Sequence, residues 1–228
     1  MSDGDPPSSA AVPRPAAVIF DNDGLLLDTE DAWTRAEEEL FARHGHVFTM
    51  VHKRDLLGSS RATGAAKLER MLGAPGRGDA LMDELHDLVM AEALHGVPPR
   101  PGALELLAAL GDAGIPVGLA SNSTASFVRR TLGAARLLDG GPFAAIVTAD
   151  DVEHPKPAPD LYLEACRRLG HDAADCAALE DSQPGVAAAV AAGMFVIGVP
   201  YFADGDLPGA TLLAGSLADA AVHAALGL

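Results

Sequence analysis

Five short apolar runs, each cut off by polar residues and followed by a stretch of helical length, constrain this chain more than any other feature. They are AAVIF (16–20), IPVGLA (115–120), AAIVTA (144–149), CAALE (176–180) and MFVIGVP (194–200). Runs that are continuously apolar, not alternating, are what strands covered on both faces require. Between them lie TASFVRRTLGA, APDLYLEACRRLG and PGVAAAVAAG, each long enough for a helix. Strands alternating with helices predict a parallel sheet with right-handed crossovers. A last TLLAG followed by SLADAAVHAAL predicts one more strand–helix pair.

One segment breaks this rhythm. From Asp31 to about His95 the patterns DAWTRAEEELFARHG, ATGAAKLERML and DALMDELHDLVMAEALHG are helical, with no strand among them. It closes on GVPPRPG (96–102), a stiff connector suited to a hinge. The expected class is therefore α/β: a Rossmann-like parallel sheet core, 16–30 and 97–228, with a small all-helical cap inserted over 31–96. A length of 228 residues suits a core plus insertion on the rough scale of ~150 residues per domain. The start, MSDGDPPSSAAVPRP, lacks the basic and apolar regions of a signal peptide and reads as a disordered tail over 1–15.

Charge narrows the partners. The formal net charge is −16, from 32 acidic and 16 basic residues, a field that repels nucleic acid and acidic membrane surfaces. An anionic small molecule is still admissible wherever lysine and a metal ion reverse the local sign. No run approaches the roughly 18 apolar residues of a membrane span. Cys166 and Cys176 are the two cysteines and read as buried thiols, consistent with a reduced, cytoplasmic setting. The chain is expected to be a monomer that binds neither nucleic acid nor membrane.

Parallel sheets of this kind bind ligands at the carboxyl ends of their strands. There the sequence puts DNDG (21–24) after the first run, SNST (121–124) after the second and DS (181–182) after the fourth, with Lys156 in HPKPAPD opening the helix after the third. Asp21 and Asp23, two apart, share one face of an extended chain. Such close carboxylates repel unless a cation lies between them or both face water. Gly24 permits the turn that lets them converge. Ser121 and Asn122 after a strand would ordinarily be a helix cap, and an isolated Lys156 would be a solvated side chain. Together these residues make a site for an anion and a hard cation.

These four motifs, in this order, resemble the haloacid dehalogenase superfamily of phosphohydrolases. The particular likeness is to its branch with a small helical cap, which holds β-phosphoglucomutases and phosphatases of the 2-deoxyglucose-6-phosphate type. The first motif matches Asp21, Asp23 and Gly24, the second Ser121, the third Lys156, and the acidic fourth Glu180 and Asp181. The resemblance implies that Asp21 attacks phosphorus to form an aspartyl-phosphate and that Asp23 acts as general acid and then base. It implies that Lys156 orients the charges and that Ser121 and Asn122 help bind phosphate. It further implies Mg²⁺ held by Asp21, the carbonyl of Asp23 and Asp181, with Glu180 as ligand or support. An ionised carboxylate needs no activating base as a nucleophile, and a divalent ion offsets its repulsion from phosphate.

The cap is expected to choose the substrate. HKRDLLGSSRATG (52–64) gathers Lys53, Arg54, Gly58, Ser59, Ser60 and Arg61 into a substrate-facing loop, and Trp33 could stack on a ring or pack at the hinge. In mutases of this branch a histidine stands where Trp33 stands here. The sequence therefore implies a magnesium-dependent phosphatase for a small phosphorylated metabolite, a sugar phosphate. The alternatives are a phosphomutase and a non-catalytic metabolite-binding relative. Asp28 is expected to cap the first inserted helix or hold the hinge. Glu30 and the run 37–39 are expected to form a solvated helix face.

Overall fold

The computed structural model describes residues 14–228; the tail expected over 1–15 falls outside that range up to Pro13. Among the described residues the strands are β1 (Val18–Phe20), β2 (Val117–Ala120), β3 (Phe143–Val147), β4 (Ala177–Glu180), β5 (Phe195–Gly198) and β6 (Leu212–Leu213). They form one parallel sheet in the order β3-β2-β1-β4-β5-β6. Each apolar run became a strand, and TLLAG supplied the short edge strand β6. β1 lies between β2 and β4, where the strand order reverses, which is the crevice that binds ligands in such sheets.

The alternation of side chains along each strand divides the core in two. Val18, Phe20, Leu119, Leu179 and Ile197 enter the larger cluster on one face. There they meet α5 (Ala103–Asp112), α6 (Ala125–Ala134) and α9 (Ala220–Ala225). Ile19, Ala178 and Val196 enter the other, against α7 (Asp160–Leu169) and α8 (Gln183–Ala191). Cys166 and Cys176 are free thiols buried on this second face.

Between β1 and β2 the chain forms α1 (Glu30–Arg43), α2 (Met50–Leu56), α3 (Arg61–Met71) and α4 (Gly78–Glu92), with no named strand among the described residues. Their apolar faces do not make a separate core. Leu40, Phe41, Leu68, Leu81 and Val89 join the larger sheet cluster alongside Leu25, Leu26 and Leu27. The two connectors run side by side: the Asp28 N–H donates to the Pro98 carbonyl (2.8 Å) and the Arg100 N–H to that of Leu26 (2.9 Å). Asp28 also lies 3.8 Å from Arg100, so it holds the hinge and does not cap α1. No helix among the described residues is long and apolar enough to cross a membrane.

Candidate active site

The period-two alternation that buries Ile19 also sends Asp21 to the α7–α8 side of the sheet, beyond the last residue of β1. The register pairing Phe20 with Leu179 carries it alongside Glu180. Lys156, from the loop before α7, is 2% exposed and bridges the two carboxylates. Its Nζ donates to Asp21 Oδ1 and Glu180 Oε1, both at 2.6 Å, and to the Ala120 carbonyl at 2.8 Å. Tyr162 of α7 donates to the same Glu180 oxygen at 2.6 Å. The other, Oε2, accepts from the Asp181 and Ser182 amides and the Ser182 hydroxyl at 3.1–3.3 Å. Lys156 is pulled down by burial but pushed up further by its two carboxylates.

Asp181, 3% exposed, follows β4 directly. Its Oδ2 is buried and has no hydrogen-bond partner among the described residues. Gly24 makes this approach possible: its φ is +83°, and a Cβ there would lie 2.3 Å from that same oxygen. Ligand atoms of Asp21, Glu180 and Asp181 all lie within 4.8 Å of one another. Burial drives the carboxyls of Asp21 and Asp181 well above the ordinary carboxylate range; Glu180 adds to both, Asp23 to the first and Asp21 to the second, while Lys156 opposes.

Asp23 accepts from the hydroxyls of Ser121 (3.0 Å) and Ser123 (2.8 Å) at Oδ2, and from the Asn22 amide at Oδ1 (3.1 Å). Burial raises its pKa, and the two serines hold it down. Ser121 is fully buried, turned to Asp23 and absent from the cavity wall, where Ser123 stands instead. Asn122 lines the cavity and grips Lys156 from both sides of its main chain, accepting from its N–H (2.8 Å) and donating to its carbonyl (3.2 Å).

The cavity between this floor and helices α1–α4 encloses about 1020 Å³, its open mouth included. Trp33, Gly58, Ser59 and Arg61 line its roof. Trp33 packs edge-on against Phe127 at 5.5 Å. Gly58 touches the floor. The Asn122 amide donates to its carbonyl at 3.3 Å, and at φ +67° an added Cβ would lie 2.7 Å from Ser182 Cβ. Arg54 does not belong here. It is turned outward, pairing with Asp204 at 2.9 Å and stacking on the Phe202 ring at 4.4 Å. The reason is that residues 50–56 are helical, not a loop, which puts Lys53 and Arg54 on different faces.

Lys53 is 3% exposed and points at α1. Its Nζ lies 2.5 Å from Glu30 and 3.2 Å from Glu37. Both glutamates, expected to be solvated, are buried, whereas Glu38 and Glu39 are exposed as expected. Ser123, Tyr162 and His86, another cavity residue, were likewise unforeseen as site residues. Only the i, i+7 spacing of Glu30 and Glu37 beside Leu40 and Phe41 signals their burial in the sequence.

Four floor carboxylates thus face one lysine, an arrangement that calls for more positive charge. The orphaned Asp181 oxygen and a donor set made only of oxygen suit a hard divalent cation.

A family model described as haloacid dehalogenase-like hydrolase matches residues 15–193. The plasmid protein CbbY of Cupriavidus necator is 36% identical over 220 residues, covering 90% of this chain and 87% of its own. Hexitol phosphatase B of Escherichia coli (strain K12) is 35% identical over 190 residues, 81% of this chain and 83% of its own. Crystal structures of CbbY from Rhodobacter sphaeroides, in complex with phosphate and, as a mutant, with xylulose-(1,5)bisphosphate, each match with a TM-score of 0.76 at 30% identity, covering 90% of this chain and 96% of theirs.

Proposed function

The chain belongs to the haloacid dehalogenase-like hydrolases and is a phosphatase, and from that premise we propose that it hydrolyses a small sugar phosphate through an aspartyl-phosphate on Asp21. The observation that carries this reading is the contrast between two buried aspartates at one cavity floor. Asp21 is clamped by Lys156, while Asp181 keeps an oxygen with no partner. The all-oxygen donor set fits magnesium, which Asp21, Asp181 and the main-chain carbonyl of Asp23 would hold. When bound, such an ion offsets the repulsion between carboxylates and the phosphoryl oxygens.

The chain's own residues supply the remaining steps. Asp21 forms the O–P bond as the bond to the leaving oxygen breaks, and Lys156 fixes the direction of attack by holding Oδ1. Asp23, its pKa raised by burial, carries the proton that the departing alkoxide takes up. In the second half it takes a proton from the water that attacks phosphorus, and Asp21 is released. Glu180, whose oxygens are occupied by Lys156, Tyr162 and Ser182, holds Lys156 in place. The helices over the floor, 31–96, act as the cap that excludes water and meets the leaving group.

Asp21→Asn tests this directly. Phosphate release from p-nitrophenyl phosphate with magnesium should fall by at least about a thousandfold, with an unchanged circular dichroism spectrum. Turnover within tenfold of wild type would remove Asp21 as the nucleophile.

A further inference from the structure

The cavity roof holds a charged group that the hydrolytic steps leave unused. Glu30 and Glu37 stand seven residues apart on α1, about two turns, so both project from one face of that helix toward α2. Lys53 sits between them, 2.5 Å from Glu30 Oε2 and 3.2 Å from Glu37 Oε2, with the Glu30 carbonyl at 3.4 Å. Glu30, Glu37 and Lys53 are only 5%, 4% and 3% exposed, and all three line the cavity.

Three N–H groups of Lys53 meet three oxygens, which uses up the ammonium. Each glutamate keeps a second oxygen, Oε1, that accepts no hydrogen bond among the described residues. Neither oxygen is sealed inside the protein: both residues line the cavity, where a ligand hydroxyl can donate to these oxygens. With both glutamates ionised, two carboxylates against one ammonium leave the trio net negative. Arg61, a guanidinium on the cavity wall, is engaged by Asp83 (2.8 Å) and the Asp79 carbonyl (3.1 Å).

We propose that Glu30 and Glu37, locked by Lys53, read the hydroxyls of the leaving group and turn away a second phosphate, so that the substrate is a monophosphate ester of an uncharged sugar or polyol. This rests on the phosphatase reading above. Hydroxyls donate to the free Oε1 atoms, whereas a distal phosphate brings only acceptors and like charge.

The test compares kcat/KM at about pH 8, above the Glu37 titration near 7, for p-nitrophenyl phosphate, fructose monophosphate and fructose bisphosphate, with saturating magnesium, in wild type and Glu37→Gln. Wild type should prefer the monophosphate to the bisphosphate by at least about tenfold. Glu37→Gln keeps the shape and removes the charge, so it should shrink that preference by about threefold or more, chiefly through KM. Equal or better use of the bisphosphate by wild type overturns the inference, as does a preference unchanged in the variant. Hydrolysis of p-nitrophenyl phosphate with neither sugar turned over also overturns it, while leaving the phosphatase reading intact. Failure with all three esters overturns both. Should Glu37→Gln not fold, the wild-type ratio alone decides.

Discussion

Two buried lysines line the same cavity from opposite sides, each held by two carboxylates and a main-chain carbonyl. On the floor, Lys156 meets Asp21 and Glu180 at equal distances of 2.6 Å. In the roof, Lys53 meets Glu30 closely and Glu37 more loosely, at 2.5 and 3.2 Å. Burial lowers both lysines, and their acids more than restore them. The floor is a rigid arrangement on strand ends, with every Glu180 oxygen occupied. The roof is built on helices and keeps spare acceptors. On the proposed reading, the same pairing of charges serves reaction in one place and selection in the other.

Replacing each lysine in turn is the sharpest way to break this parallel. Lys156→Met should cut phosphate release by about a thousandfold or more, because Asp21 loses its counter-charge and its aim. It should also destabilise the fold by roughly 3–5 kcal/mol in urea denaturation, since two buried carboxylates lose their partner. Lys53→Met should cost less, about 1–3 kcal/mol, and act mainly on KM for sugar phosphates. If the two variants lost turnover equally, floor and roof would not differ in role.

The next effect concerns pH. Burial pushes the Glu37 carboxyl from its ordinary 4.5 to about 7, with Lys53 opposing. A carboxyl raised on folding binds its proton more tightly in the folded chain, so its share of stability is present at low pH and lost as pH rises through about 7. Between about pH 5 and pH 8 wild type should lose on the order of 1–3 kcal/mol on this account, and Glu37→Gln should flatten the slope. Urea denaturation at both pH values checks it. A parallel slope in the variant would assign the pH dependence elsewhere.

The smallest effect tests the placement of Arg54. Its ion pair with Asp204 is largely exposed, at 47% and 72% for the two side chains, and its stacking on Phe202 adds a modest attraction. Arg54→Ala should change stability by less than about 1 kcal/mol and leave kcat/KM within about threefold of wild type. A hundredfold loss would put Arg54 back in the substrate cavity.

Much of the floor was legible because polar residues that follow a continuously apolar run have few places to go. Once β1 and β4 pair in parallel, Asp21 and Asp181 must meet at one sheet edge, and the loop before α7 delivers Lys156 to them. The roof was not legible in the same way. Glu37, Glu38 and Glu39 are chemically identical neighbours in the sequence, yet one is buried and two are exposed. Helical rotation separates them by about 100° each, and only the position of α2 decides which one meets a lysine. Ser121 shows a similar limit on the floor: it stands where expected, at the end of β2, but its hydroxyl is spent on Asp23.

By itself the sequence determined the alternation of strands and helices, the helical insertion and the acids at the strand ends. These follow from local periodicity and from the backbone's need to pair. Only the tertiary structure decided which charges lie buried across the cavity from one another, because burial of an ion depends on a partner from a distant element. Lys53 shows the reason: 16 residues separate it from Glu37, and neither would be buried without the other.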